Sequence, residues 1–136
     1  MINTKQVIKD YFVHKKQVLS VYLFGSVAKG KENRFSDVDI AVLFDFSVDK
    51  GRYTDKCLFI MDGLSKTLNR NIDVAVLNNA SSFFKSHILK NGIKIYEKPG
   101  SNVNNFRAQS IVEYLDYLPI RKRLEKAVID KIYKEA

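Results

Sequence analysis

The residues with the most chemical content are Gly25-Ser26, a spacer of ten, and then Asp37-Val38-Asp39. Side chains along a strand alternate between faces, so Asp37 and Asp39 share one face while Val38, Ile40 and Val42 take the opposite, core-facing side. Two residues advance about 6.6 Å along a strand. Carboxylates bridge that separation when divalent ions about 3.5–4 Å apart lie between them, as in two-metal phosphoryl-transfer sites. Without a cation they repel. Asp73 lies within a second apolar run, Ile72-Asp73-Val74-Ala75-Val76-Leu77, where an aspartate is a poor strand former and costly to bury unpaired. A third metal ligand accounts for it, and a salt bridge to one of the many basic residues is the structural alternative.

Hard oxygen donors suit magnesium, with manganese as a second fit, and the spacing suits two such ions. Zinc is disfavoured, because His14 and His87 are isolated and Cys57 has no second thiol. Gly25 allows a tight turn and close backbone approach to a ligand, and Ser26 with neighbouring N–H groups can hold phosphate oxygens at the start of a short helix. Lys29, Lys31 and Arg34 add positive charge nearby. Taken singly, Asp37 after Ser36 reads as a turn cap and Gly-Ser as a common strand end. The combination favours a site.

Positioning such a site requires strands. Val18 to Phe24, Val38 to Phe44, Ile72 to Leu77 and Ile93 to Tyr96 have strand composition. Helical spacing appears at residues 3–14, with Thr4 as a plausible cap, at 54–68, where Gly63 weakens the helix slightly, and at 82–91, between the cap Ser81 and Gly92. This alternation predicts an α/β (α+β) fold with a mixed sheet of about four strands flanked by helices. The stretch from Gly25 to Asp37 is short for a parallel crossover, so the first two strands are expected to be antiparallel. Residues 97–105 read as a loop. Beyond it, one helix around Phe106 to Leu118 and another around Leu124 to Ile132 are expected, interrupted at Pro119. The expected division is a core at 1–98 and a helical extension at 99–136 that packs on the core or on a partner.

A length of 136 residues, 46% hydrophobic and 28% charged, fits one ordinary globular domain. No apolar run approaches the roughly 18–20 residues of a membrane span, and the charged N-terminus is unlike a secretory signal, so a cytoplasmic location is expected. A single cysteine excludes an internal disulfide. Lys and Arg outnumber Asp and Glu 23 to 15; the +8 charge attracts anions without choosing among them. With no recognition helix or aromatic sheet motif, nucleic-acid binding ranks last.

The segment from Gly25-Ser26 to Asp37-Val38-Asp39 resembles the signature of the nucleotidyltransferase superfamily that includes DNA polymerase beta, and Asp73 looks like its third carboxylate. Residues 2–96 share its order of elements. The short chain and the tail, with Phe106-Arg107-Ala108 and Glu113-Tyr114-Leu115-Asp116, are similar to minimal nucleotidyltransferases encoded beside HEPN proteins. That resemblance implies an antitoxin that neutralises a HEPN ribonuclease toxin by transferring AMP from ATP to a tyrosine. Asp37 and Asp39 would bind both metal ions, Asp73 would bind one and help activate the attacking hydroxyl, and Gly25 and Ser26 would hold the triphosphate. No second domain of ordinary size remains to enclose an acceptor, so a partner or an oligomer mate is expected to complete the site. Transfer to a small molecule such as an aminoglycoside, and a non-catalytic antitoxin that neutralises by binding alone, are the competing functions.

Overall fold

The computed structural model describes residues 3–30 and 37–135. In chain order the elements are α1 (Thr4–Val13), β1 (Val18–Phe24), the short α2 (Gly25–Ala28), β2 (Val38–Phe44), α3 (Tyr53–Leu68), β3 (Ile72–Val76), α4 (Ser82–Asn91), β4 (Ile93–Glu97) and α5 (Val103–Glu135), with a 3-10 turn (Lys50–Arg52) leading into α3. The sheet order is β3-β2-β1-β4. β1 runs antiparallel to both β2 and β4, as the short link after Gly25 requires, while β2 and β3 are parallel and joined through α3.

Both faces of this sheet are covered. Val21, Leu23, Ile40, Val42 and Phe44 pack with α1 and α3 through Ile8, Phe12, Ile60 and Leu64. On the other side Leu19, Tyr22, Ala41, Leu43 and Leu77 meet Ile88 of α4 and Val103 and Phe106 of α5. Two buried faces explain why β2 is apolar at nearly every position, the pattern of an interior strand. Core-facing residues are therefore not confined to the Val38, Ile40 and Val42 side. Alternation along β1 serves both layers, and an extra residue at Leu19, where the β1–β2 register slips between Val18 and Ser20, shifts the phase so that Leu19 joins the layer of Tyr22.

Local details depart from the sequence reading, and the loop expected at 97–105 is shorter, since β4 runs to Glu97 and α5 begins at Val103. The α1 cap is Asn3, whose side chain accepts from Gln6 N–H at 3.2 Å, and Thr4 is the first helical residue. Pro119 does not end a helix: α5 continues through it for 33 residues. A proline removes one N–H and crowds the carbonyl four residues earlier. Helix formers on either side, including Leu115, Leu118, Arg121 and Leu124, propagate the helix across that single missing bond. Gly63, read as a weak point of α3, is a packing requirement. A β-carbon there would lie 2.9 Å from the Tyr11 hydroxyl of α1.

The first turns of α5 are pinned to the body by Arg107, which donates to the Tyr22 hydroxyl at 2.8 Å, and by the Lys85–Glu113 ion pair at 2.9 Å. Among the described residues no helix is long and apolar enough to cross a membrane.

The Gly63 contact is testable by a double-mutant cycle read by urea denaturation. Gly63→Ala destabilises the wild-type chain. In a Tyr11→Ala background, where only helix propensity remains, it stabilises by about 1 kcal/mol. Equal effects in the two backgrounds would remove the packing explanation.

Candidate active site

β1 ends at Phe24, which pairs with Asp39 of β2, and Asp39 pairs in turn with Asp73 of β3. Partners in adjacent parallel strands point the same way, so the register sets the Asp39 and Asp73 side chains next to each other. They share the face of Ala41, Leu43 and Leu77, on the side that α4 and α5 cover. Near the start of β2 and β3 that cover stops: Asp39 is half-buried and Asp73 exposed, as is Asp37 immediately before β2.

Gly25 makes the neighbouring approach. It leaves β1 with φ of +75°, a left-handed conformation that side chains disfavour. A β-carbon built on it would overlap the Asp39 carboxylate and lie 3.2 Å from the carboxyl carbon. Glycine is thus required twice, for the turn and for the space. Ser26 is half-buried in α2, and Lys29, at the end of α2, is exposed. Arg34, like Lys31, lies outside the described residues.

Electrostatics mark Asp39 as the centre. Burial holds its carboxyl above the usual range, the charges of Asp73 and Asp37 push it the same way, and a side-chain hydrogen bond with Asp73 adds to the rise. Among the described residues no group of three His, Cys, Asp or Glu side chains is arranged to hold a metal as it stands. Asp37 sits in solvent at the strand's start, and like charges have no reason to close up. The donor set fits a hard divalent cation: two carboxylates opposite each other on adjacent strands, a third close enough to raise the pKa of Asp39, and a glycine leaving room beside them.

Sequence patterns alone did not bring out Phe84. Its ring packs edge-on against Phe24, centroids 5.7 Å apart, and so supports the residue before the glycine turn. The signal was available only as an apolar position early in a helix, with nothing to name its partner. A separate cleft of about 490 Å³, lined by Lys15, Val18, Phe44, Arg52, Lys56 and Phe59 among others, lies at the other end of β1 and β2. It takes no part in the carboxylate cluster.

The site's surroundings have counterparts in other proteins. The protein adenylyltransferase MntA of Aphanizomenon flos-aquae is 28% identical over 116 residues, which span 81% of this chain and 75% of that protein. A toxin–antitoxin crystal structure with AMP-PNP matches with a TM-score of 0.73 at 22% identity, covering 94% of this chain and 99% of the other. A complex of tri-AMPylated Shewanella oneidensis HEPN toxin with MNT antitoxin matches at 0.68 and 20% identity, covering 93% and 96%. These two structures share the fold.

Two expectations follow from the geometry. Gly25→Ala combines a left-handed side chain with displacement of Asp39, and lowers unfolding stability by about 1–2 kcal/mol or more; a variant as stable as wild type would contradict the close approach. Asp39 has a raised folded pKa, so its contribution to stability is complete below the unfolded value and is lost as pH rises through the folded one. In EDTA at pH 7, Asp39→Asn therefore melts higher than wild type, and the gap narrows toward pH 4. Millimolar magnesium raises the wild-type melting temperature more than the variant's; a variant that melts lower in EDTA would refute the repulsion. The description "Polymerase beta, Nucleotidyltransferase" matches residues 6–100, from α1 through the glycine turn and all three aspartates to the end of β4, and the chain belongs to that family.

Proposed function

We propose that this chain is an antitoxin that transfers AMP from ATP to a tyrosine hydroxyl of a HEPN-type toxin, with Asp37, Asp39 and Asp73 holding two magnesium ions. One observation carries the reading: Asp39 stands directly opposite Asp73 on adjacent parallel strands, beside a glycine with no room for a side chain. Structural ion pairs join opposite charges. Carboxylates gathered against one another fit a cation site.

The residues divide the work by position. Gly25 brings backbone close to the triphosphate, with Ser26 donating to a phosphate oxygen and Lys29 and Arg34 adding positive charge. Bound magnesium neutralises negative charge on the α-phosphate and the departing pyrophosphate. Asp39, between its two neighbours, sets the distance between the ligands, and Asp37 completes the shared set. Asp73, the exposed member of the pair, faces the acceptor and helps its hydroxyl shed a proton. The tyrosine oxygen then bonds to the α-phosphorus as the bond to pyrophosphate breaks. The MntA relative is a protein adenylyltransferase, and the matching structures are complexes with a HEPN toxin or with an ATP analogue, which supports a protein acceptor. A cytoplasmic location belongs to the same reading.

With α-labelled ATP and magnesium, a HEPN-type toxin supplied as acceptor becomes labelled on tyrosine and loses ribonuclease activity. Asp39→Asn and Asp73→Asn each reduce labelling at least a hundredfold. If Asp39→Asn labels as well as wild type, the metal mechanism is wrong. Neutralisation by Asp39→Asn at equal potency would instead establish a binding-only antitoxin, and labelling of an aminoglycoside in place of the protein would assign a small-molecule acceptor.

A further inference from the structure

The cleft at the far end of β1 and β2 gathers positive charge over an apolar floor. The floor is formed by the buried Val18, Phe44 and Ile60. Its walls come from two places: the loop between α1 and β1 brings Lys15 and Lys16, and the turn into α3 with that helix's first turn brings Arg52 and Lys56. Among the described residues, Asp55 is the one carboxylate on the lining. Lys16 and Arg52 are exposed, and neither has a carboxylate within ion-pair distance. The Lys56 ammonium donates to the Gln17 side chain, which ties the two walls together.

An aromatic ring stands beside these cations. Phe59 is 67% exposed, and the Lys15 ammonium lies 5.2 Å from its centroid and 4.8 Å from that of Tyr11. The combination selects the ligand. A purely apolar molecule would cover four cations and give them no partner, which is costly. A lone inorganic phosphate would leave most of the 490 Å³ unfilled, a volume that suits a whole small molecule. A planar base joined to two or more phosphates uses both features, with the base packed on Phe59 and the phosphate oxygens on the guanidinium and ammonium groups. The position separates this cleft from the aspartates. Val18 pairs with Phe44 here and Phe24 with Asp39 at the other end, six residues or about 20 Å along the strand. Val18, Phe44 and Ile60 also belong to the layer of α1 and α3, whereas Asp39 and Asp73 share the opposite face of the sheet.

We propose that this cleft is a nucleotide-binding site separate from the aspartates, taking a nucleoside di- or triphosphate with its base on Phe59 and its phosphates on Lys15, Lys16, Arg52 and Lys56. Binding here needs no divalent metal and is independent of the transfer reaction. The chain is titrated with ADP, and separately with pyrophosphate, in EDTA, which disables a magnesium-dependent site. Calorimetry reads the binding, and circular dichroism checks that each variant keeps its fold. Wild type is expected to bind ADP, and Arg52→Ala/Lys56→Ala to weaken it roughly tenfold or more through lost charge-assisted hydrogen bonds. Phe59→Ala is expected to weaken ADP about fivefold or more, the loss of one base stack, and to leave pyrophosphate unchanged. Wild type that binds no ADP overturns the proposal, as does ADP binding that the Arg52/Lys56 double variant leaves unaltered. Pyrophosphate bound as tightly as ADP, with Phe59→Ala affecting neither, overturns the nucleotide assignment in favour of a plain anion site. A single-stranded RNA that binds through the same residues far more tightly than ADP overturns it in favour of nucleic acid.

Discussion

Repulsion between carboxylates is the constraint around which this molecule is arranged. Asp39 is half-buried and in the field of Asp73 and Asp37, which with burial hold its carboxyl above the usual range, a grouping that costs stability wherever no cation is present. The fold tolerates it because the backbone leaves no alternative. The register of β2 on β3 fixes two of the side chains on one face, and the left-handed turn at Gly25 closes the third side. Those strands are held by a sheet buried on both faces, so the backbone positions of Asp39 and Asp73 cannot move apart without disturbing the core.

Much of this was legible in the sequence for physical reasons. The strand at 38–44 follows from its nearly unbroken apolar run, and the short link after Gly25 was enough to make β1 and β2 antiparallel. Asp73 announced itself as a charge in an apolar strand. Local rules failed where a distant partner decides the outcome. Gly63 looked like a weakness because Tyr11, which needs the space, is far away in the chain. Phe84 looked like ordinary helix filling, and β2 gave no sign that Ala41 and Leu43 face a second layer. Pro119 misled in the other direction, since a local penalty was outweighed by helix formers around it.

α5 is positioned from its N-terminal end. Its first turns are fastened by Arg107 on Tyr22 and Glu113 on Lys85, so the position of the helix is set by the body.

The sheet order also leaves β3 at an open margin, with Asp73 on it. Unprotected margins of this kind recruit strands from other molecules and seed aggregation, and proteins blunt them with short length and charge. β3 has both, being five residues long with an acidic side chain near its start. The opposite margin, β4, carries Lys94 and Glu97. The carboxylate proposed to serve chemistry thereby also places a charge on this margin, which opposes pairing by a strand of another molecule.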